Sequence, residues 1–181
     1  MEIIKSDIEG LVLIKPDVFE DNRGFFLESY SRKKFQEAGI DCLFIQDNHS
    51  RSEQKGVVRG LHFQKPPFAQ SKLVRVTRGA IFDVAVDLRK NSATFGAWRG
   101  YELTEKNYLM LFVPQGFAHG FCTLCPGTEV QYKVDNLYAP QYDSGIRWND
   151  PTLEIKWPVT DAILSSKDLQ LPFFSEMESP F

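Results

Sequence analysis

Val57-Val58-Arg59-Gly60-Leu61-His62-Phe63-Gln64 runs from a β-branched approach through a cation and a glycine to a histidine set between two large apolar side chains. The run reads as a strand, because β-branched and aromatic residues suit a pleated, half-buried surface. A lone histidine on an apolar strand can be a hydrogen-bonded core residue. Its charge also changes near neutral pH, so on a pocket wall it can take a proton and return it. Strict alternation sets Arg59 and His62 on opposite faces. Gly60 between them permits a bulge that would bring both to one site, or Arg59 could reach it from the strand's edge.

Upstream, short strands are expected at 11–15 and 24–30, around the turn Glu20-Asp21-Asn22-Arg23-Gly24. Alternation in the second puts Phe26, Glu28 and Tyr30 on one face, a carboxylate between aromatics that suits a sugar as well as a solvent-facing edge. Ser31 to Ala38 reads as a short helix with Ser31 as N-cap and Gly39 as the stop. Cys42 to Gln46 reads as strand, and Asp47-Asn48-His49-Ser50 as a polar turn in which His49 caps the backbone.

Downstream, strands follow one another with few helical interruptions. Lys72 shares a face with Val74 and Val76, so its ammonium either points into an apolar interior or snorkels to water. Burial would lower its pKa and make an oxyanion its natural partner. In Ile81 to Leu88 one face carries Phe82, Val84, Val86 and Leu88, and the other Ile81, Asp83, Ala85 and Asp87, making Asp83 a candidate interior carboxylate. Strands are expected at 99–103 and 107–113, and Pro114-Gln115-Gly116 then bends the chain to deliver His119. Val130, Tyr132 and Val134 share a face that aims a phenol inward; residues 145–150 and 153–157 close the sheet region; Ser165 and Asp168 read as a capping box.

Composition bounds the alternatives. With 181 residues, 43% of them hydrophobic and 25% charged, the chain is sized for one domain, 1–181, with one core. A net charge of -3 with no long basic run argues against nucleic acid as a partner. The N-terminus lacks the apolar stretch of a secretory signal and no run is long enough to span a bilayer, so no membrane is expected. Three cysteines, Cys42, Cys122 and Cys125, make an odd count that fits a reducing, cytoplasmic setting. Cys122 and Cys125 have redox-pair spacing but run into Pro126-Gly127 without the βαβ context that motif needs. Roughly ten short strands punctuated by Gly, Pro and Asn predict an all-β sandwich or jelly roll with a few short peripheral helices.

Three chemistries compete for the histidines. A metal site in a jelly roll would want a second histidine close to the first, but Phe63 and Gln64 follow His62 and only His119 remains, so no metal is expected. A nucleophilic triad lacks a Gly-x-Ser-x-Gly elbow. Cofactor-free proton transfer needs a base, an acid and an enolate stabiliser, and His62, Tyr132 and Lys72 supply those roles on strands whose parity directs them inward.

The ordered motifs Asp21-Asn22-Arg23-Gly24-Phe25-Phe26, Gln46-Asp47-Asn48-His49-Ser50, Arg59-Gly60-Leu61-His62-Phe63-Gln64, Pro114 to Phe121 and Ile146-Arg147-Trp148-Asn149-Asp150-Pro151 resemble the dTDP-4-dehydrorhamnose 3,5-epimerase family over about residues 1 to 170. The resemblance implies a cupin-type jelly roll, a double-stranded β-helix. It implies the substrate dTDP-4-dehydro-6-deoxy-D-glucose, whose ketone acidifies the C–H bonds on both flanks, and no cofactor. His62 matches the base, Asp168 its orienting aspartate, Tyr132 the opposing acid and Lys72 the enolate stabiliser. Arg23, Glu28, Gln46, Asp47, Asn48, Arg59, His119, Asp143 and Lys167 match nucleotide and diphosphate contacts, Tyr138 a stack on thymine, and Phe26 joins them through the face it shares with Glu28. Asp143 departs from the glutamate of many members. Asp83 matches a support for His119. The family's homodimers exchange an N-terminal strand, which would carry Arg23 and Glu28 to the partner's site. Inversion at carbon 3 or carbon 5 alone, an inactive sugar-nucleotide binding module and a metal-dependent cupin are the other readings.

Overall fold

The computed structural model describes all of residues 1–181. Its strands are β1 (Glu2–Lys5), β2 (Val12–Lys15), β3 (Val18–Asp21), β4 (Gly24–Leu27), β5 (Gln46–Ser52), β6 (Val58–Gln64), β7 (Lys72–Arg78), β8 (Ala80–Asp87), β9 (Trp98–Thr104), β10 (Met110–Val113), β11 (Phe117–Thr123), β12 (Thr128–Val134) and β13 (Asp143–Gly145), with one short α-helix, α1 (Arg32–Glu37), and single 3-10 turns at Pro140–Tyr142, Asp168–Gln170 and Phe174–Glu176. A six-stranded sheet in the order β1-β2-β10-β7-β12-β5 faces a five-stranded sheet in the order β13-β6-β11-β8-β9, while β3 and β4 form a separate hairpin. The all-β class read from the strand spacing is what the chain adopts.

Apolar residues fill three layers, and parity assigns them. Val74, Val76, Val130, Ile81, Ala85 and Phe121 meet between the sheets. Val84, Val86 and Leu88 turn to the outer face of the five-stranded sheet and are roofed by Trp157, Phe174, Met177 and Phe181. Phe35 of α1, Ile40 and Phe44 cover Leu73, Met110 and Phe112 on the outer face of the six-stranded sheet. Each fully buried aliphatic side chain contributes about 2 kcal/mol. β8 lies between β11 and β9 and is buried on both faces, one of which carries Asp83 and Asp87.

Several local expectations need correction. Residues 42–45, expected as strand, lie outside any strand, while 46–52, read as a strand end followed by a polar turn, form one unbroken strand paired along its whole length with β12. As an edge strand it exposes Asp47, His49 and Arg51 to solvent and points Gln46, Asn48 and Ser50 into a polar cavity, so neither face demands apolar residues. His49 accordingly pairs with Glu129 at 3.1 Å and caps no turn. Residues 153–157 pack under the five-stranded sheet without joining it, Leu153 receiving the indole N–H of Trp98 at 2.8 Å. The strand of 24–30 stops at Leu27, short of Glu28 and Tyr30, and the N-terminal strand β1, which pairs with β2, was not anticipated.

Candidate active site

Gly60 is where the register of β6 breaks. His62 pairs with His119 and Arg59 with Phe121, so a step of two residues on β11 is matched by three on β6. His119 and Phe121 share a face, and the extra residue therefore puts Arg59 and His62 on that face together. The expected irregularity lies where the glycine predicted it. Gly60 has φ +128, and a Cβ there would stand 2.5 Å from the Cα of Gly120.

A cavity of about 470 Å³ opens between the sheets, and His62, Arg59 and His119 reach it from one wall, Lys72 and Tyr132 from the other. A contiguous space of about 290 Å³ adds Gln46, Asn48, Tyr138, Asp143 and Lys167 while sharing His62, Lys72 and Tyr132.

His62 Nε2 lies 2.6 Å from Asp168 Oδ1. Asp168 is buried; burial pushes its carboxyl up, but the hydrogen bond and charge of His62, with Ser165 and the Gly60 backbone, outweigh this and hold it below the ordinary value. The capping reading was half the story, since the Asp168 backbone N–H does donate to Ser165 Oγ at 3.1 Å. On the same wall, His119 Nε2 lies 2.8 Å from Asp83 Oδ1, and burial pushes the imidazole below its usual pKa. Asp83 Oδ2 is buried with no hydrogen-bond partner. Its charge nevertheless acts on Lys72, whose ammonium burial lowers to about 8, against the opposing pull of Asp83 and Asp143. No group of three His, Cys, Asp or Glu side chains is arranged to hold a metal ion.

Asp143 accepts hydrogen bonds from Lys167 and, at 3.1 Å, from the Tyr138 hydroxyl, so these three form one cluster at the mouth. Four of the named binding residues stand apart from both cavities. Asp47 points outward and pairs with Lys133 at 2.8 Å. Arg23 pairs with Asp21, Glu28 pairs with Lys34 at 2.9 Å, and Phe26 is 69% exposed on its hairpin. Conversely, Ser50, Phe121, Ile163, Leu164 and Ser165 line the cavity unannounced. Parity with Asn48 and with His119 could have found Ser50 and Phe121. Ile163 arrives through a parallel bridge to Val57 that no local pattern records.

A jelly-roll sandwich with a histidine–aspartate pair facing a phenol and a lysine across its interior is a cupin-type acid–base site. The family model described as dTDP-4-dehydrorhamnose 3,5-epimerase matches residues 5–176, and the chain belongs to that family. A dTDP-4-dehydrorhamnose 3,5-epimerase of Shigella flexneri is 50% identical over 170 residues, 93% of each chain. The crystal structure of such an enzyme from Bacillus anthracis, with TDP and PPi bound, is 53% identical and superposes with a TM-score of 0.94, covering 96% of this chain and 99% of that one. A Legionella pneumophila dTDP-6-deoxy-D-glucose-3,5-epimerase, solved with dTDP-4-keto-L-rhamnose, is 44% identical with a TM-score of 0.92, covering 96% and 93%.

Proposed function

We propose that this chain epimerises dTDP-4-dehydro-6-deoxy-D-glucose at carbons 3 and 5, giving dTDP-4-dehydro-L-rhamnose for L-rhamnose biosynthesis. The observation that carries the reading is the placement of His62 and Tyr132 on opposite walls of one cavity, in a chain of this family. Inversion needs removal of a proton from one face and its return from the other. His62, held by Asp168, takes the C–H proton, and the bond's electron pair moves into the C4 carbonyl to leave an enolate. Lys72 stabilises the enolate oxygen, and the Tyr132 O–H protonates the carbon from the far side as the carbonyl re-forms. His62 then loses its proton to water and Tyr132 regains one, so nothing is oxidised or reduced.

The nucleotide occupies the mouth, with Lys167, Gln46 and Asn48 toward the diphosphate and Tyr138 against the base; the TDP and PPi held by the Bacillus anthracis relative support this. His119, supported by Asp83, lines the sugar pocket. Arg23, Phe26 and Glu28 serve a partner's site in a homodimer that exchanges the β3–β4 hairpin. In support, that hairpin pairs with neither sheet and leaves Phe19 66% and Phe26 69% exposed. The enzyme works in the cytoplasm, in keeping with its three free cysteines; no helix is long and apolar enough to cross a membrane.

Incubation with the 4-keto sugar nucleotide in deuterated water tests the reading. Deuterium at carbons 3 and 5 with formation of the L-sugar is expected, whereas label at one carbon would assign a single inversion.

A further inference from the structure

A phenol that protonates carbon is left as a phenolate, and at a half-buried position such an anion is stabilised by a nearby cation. Tyr132 is partly buried between the sheets, and Lys72 is already committed to the enolate oxygen. Arg59 is the other candidate, and how it is held sets it apart. Its Nε donates to Ser52 Oγ at 3.2 Å and its Nη2 to the Arg51 carbonyl at 3.2 Å. The side chain thus crosses from the five-stranded sheet to the edge strand of the six-stranded one, and it lines the same cavity as Ser50 and Tyr132, which reach it from the opposite wall. Lys167 is matched by Asp143 and Arg23 by Asp21. Both acceptors of Arg59 are neutral, so they fix the guanidinium without spending its charge.

We propose that Arg59 is the counter-charge of the Tyr132 phenolate and that Ser52 is the residue that positions it. This rests on the epimerase reading above and deepens it. Burial pushes the phenol above its usual pKa, and Arg59 draws it part of the way back. A guanidinium suits the task because it stays charged at every working pH and its planar fork keeps one orientation when two donors are fixed. Ser52 is 4% exposed on the inward row of β5, so its hydroxyl is available to Arg59 and screened from solvent.

The test separates two rates for the sugar nucleotide in deuterated water. Deuterium exchange at carbons 3 and 5 requires the base alone, while inversion requires the acid as well. Arg59→Gln should lower inversion relative to exchange by about 30-fold or more, within the usual contribution of a general acid. Ser52→Ala keeps the guanidinium but frees it, and should lower the same ratio by about 3- to 10-fold; it carries the test alone should Arg59→Gln not fold. An unchanged ratio accompanied by a higher KM overturns the proposal and leaves Arg59 as a phosphate ligand. Absence of both exchange and inversion in the unaltered chain would instead defeat the epimerase reading.

Discussion

His62 Nε2 and Asp168 Oδ1 stand 2.6 Å apart although 106 residues separate them in the chain. The contact fixes one edge of the imidazole ring and leaves the other toward the cavity. A carboxylate in this place stabilises an imidazolium. Its own side chain is 4% exposed, so the charge is little screened.

Replacing Asp168 by Asn keeps the shape and removes the charge. Exchange at carbons 3 and 5 should fall together by about 100-fold, a typical share of general base catalysis. Because the folded carboxyl sits below its usual value, its stabilising contribution is present above the unfolded pKa near 4 and is lost as pH falls through the folded one. Urea titrations at pH 7 and pH 3 should therefore show the penalty of Asp168→Asn shrinking at the lower pH.

Truncating His62, the proposed base, is more severe. His62→Ala should abolish deuterium exchange at both carbons while leaving the far-ultraviolet dichroism of a β sandwich unchanged; residual exchange near the original rate would remove His62 from the mechanism.

Lys72 sets activity against stability. Its ammonium, lowered by burial to about 8, costs the fold most below that pH, and the cost is relieved as pH rises from 8 toward 10.5. Lys72→Met should raise stability at pH 7 by about 1–3 kcal/mol while lowering kcat by about 10²–10³-fold through loss of enolate stabilisation. In the unaltered enzyme kcat should decline as pH passes about 8, where the charge is lost.

Gly60 is a sharp steric test of the bulge. Gly60→Ala places a methyl 2.5 Å from Gly120 Cα and 2.8 Å from the His119 carbonyl oxygen at φ +128. A loss of about 3 kcal/mol or more is expected from the combined overpacking and backbone strain, read as a drop in Tm or in soluble yield.

Far from the cavity, Asp87 is a structural carboxylate. Burial pushes it up, but Arg89, Ser92 and Thr94 overcome that and take it to about 2. Asp87→Asn should cost roughly 2 kcal/mol at pH 7. The difference from the unaltered protein should be full above about pH 4 and vanish as pH falls through 2.

Much of the site was legible because parity is a local property of a strand. Lys72, Tyr132, Asp83 and His62 each sit on a run whose alternation decides which face meets the interior, and the structure puts all four there. Asp168 was legible only as a cap, because its backbone does cap, and nothing nearby records that its carboxylate meets a strand 106 residues earlier. The edge strand β5 was misread for the opposite reason. Turn-forming residues are what a strand between solvent and a polar cavity can carry, so composition alone cannot separate the two.

The sequence by itself determined the all-β class, the inward faces of the long strands and the need for a break at Gly60, since alternation, turn chemistry and the steric freedom of glycine act within a few residues. The tertiary structure alone decided that the break gives β6 one residue more than β11, which turns Arg59 to the side of His62, that Asp168 and Ile163 come to that wall, and that Ser52 meets Arg59 from the other sheet. Those choices depend on register and on packing between segments distant in the chain, where each contact is selected by the fit of the whole sandwich and leaves no local mark.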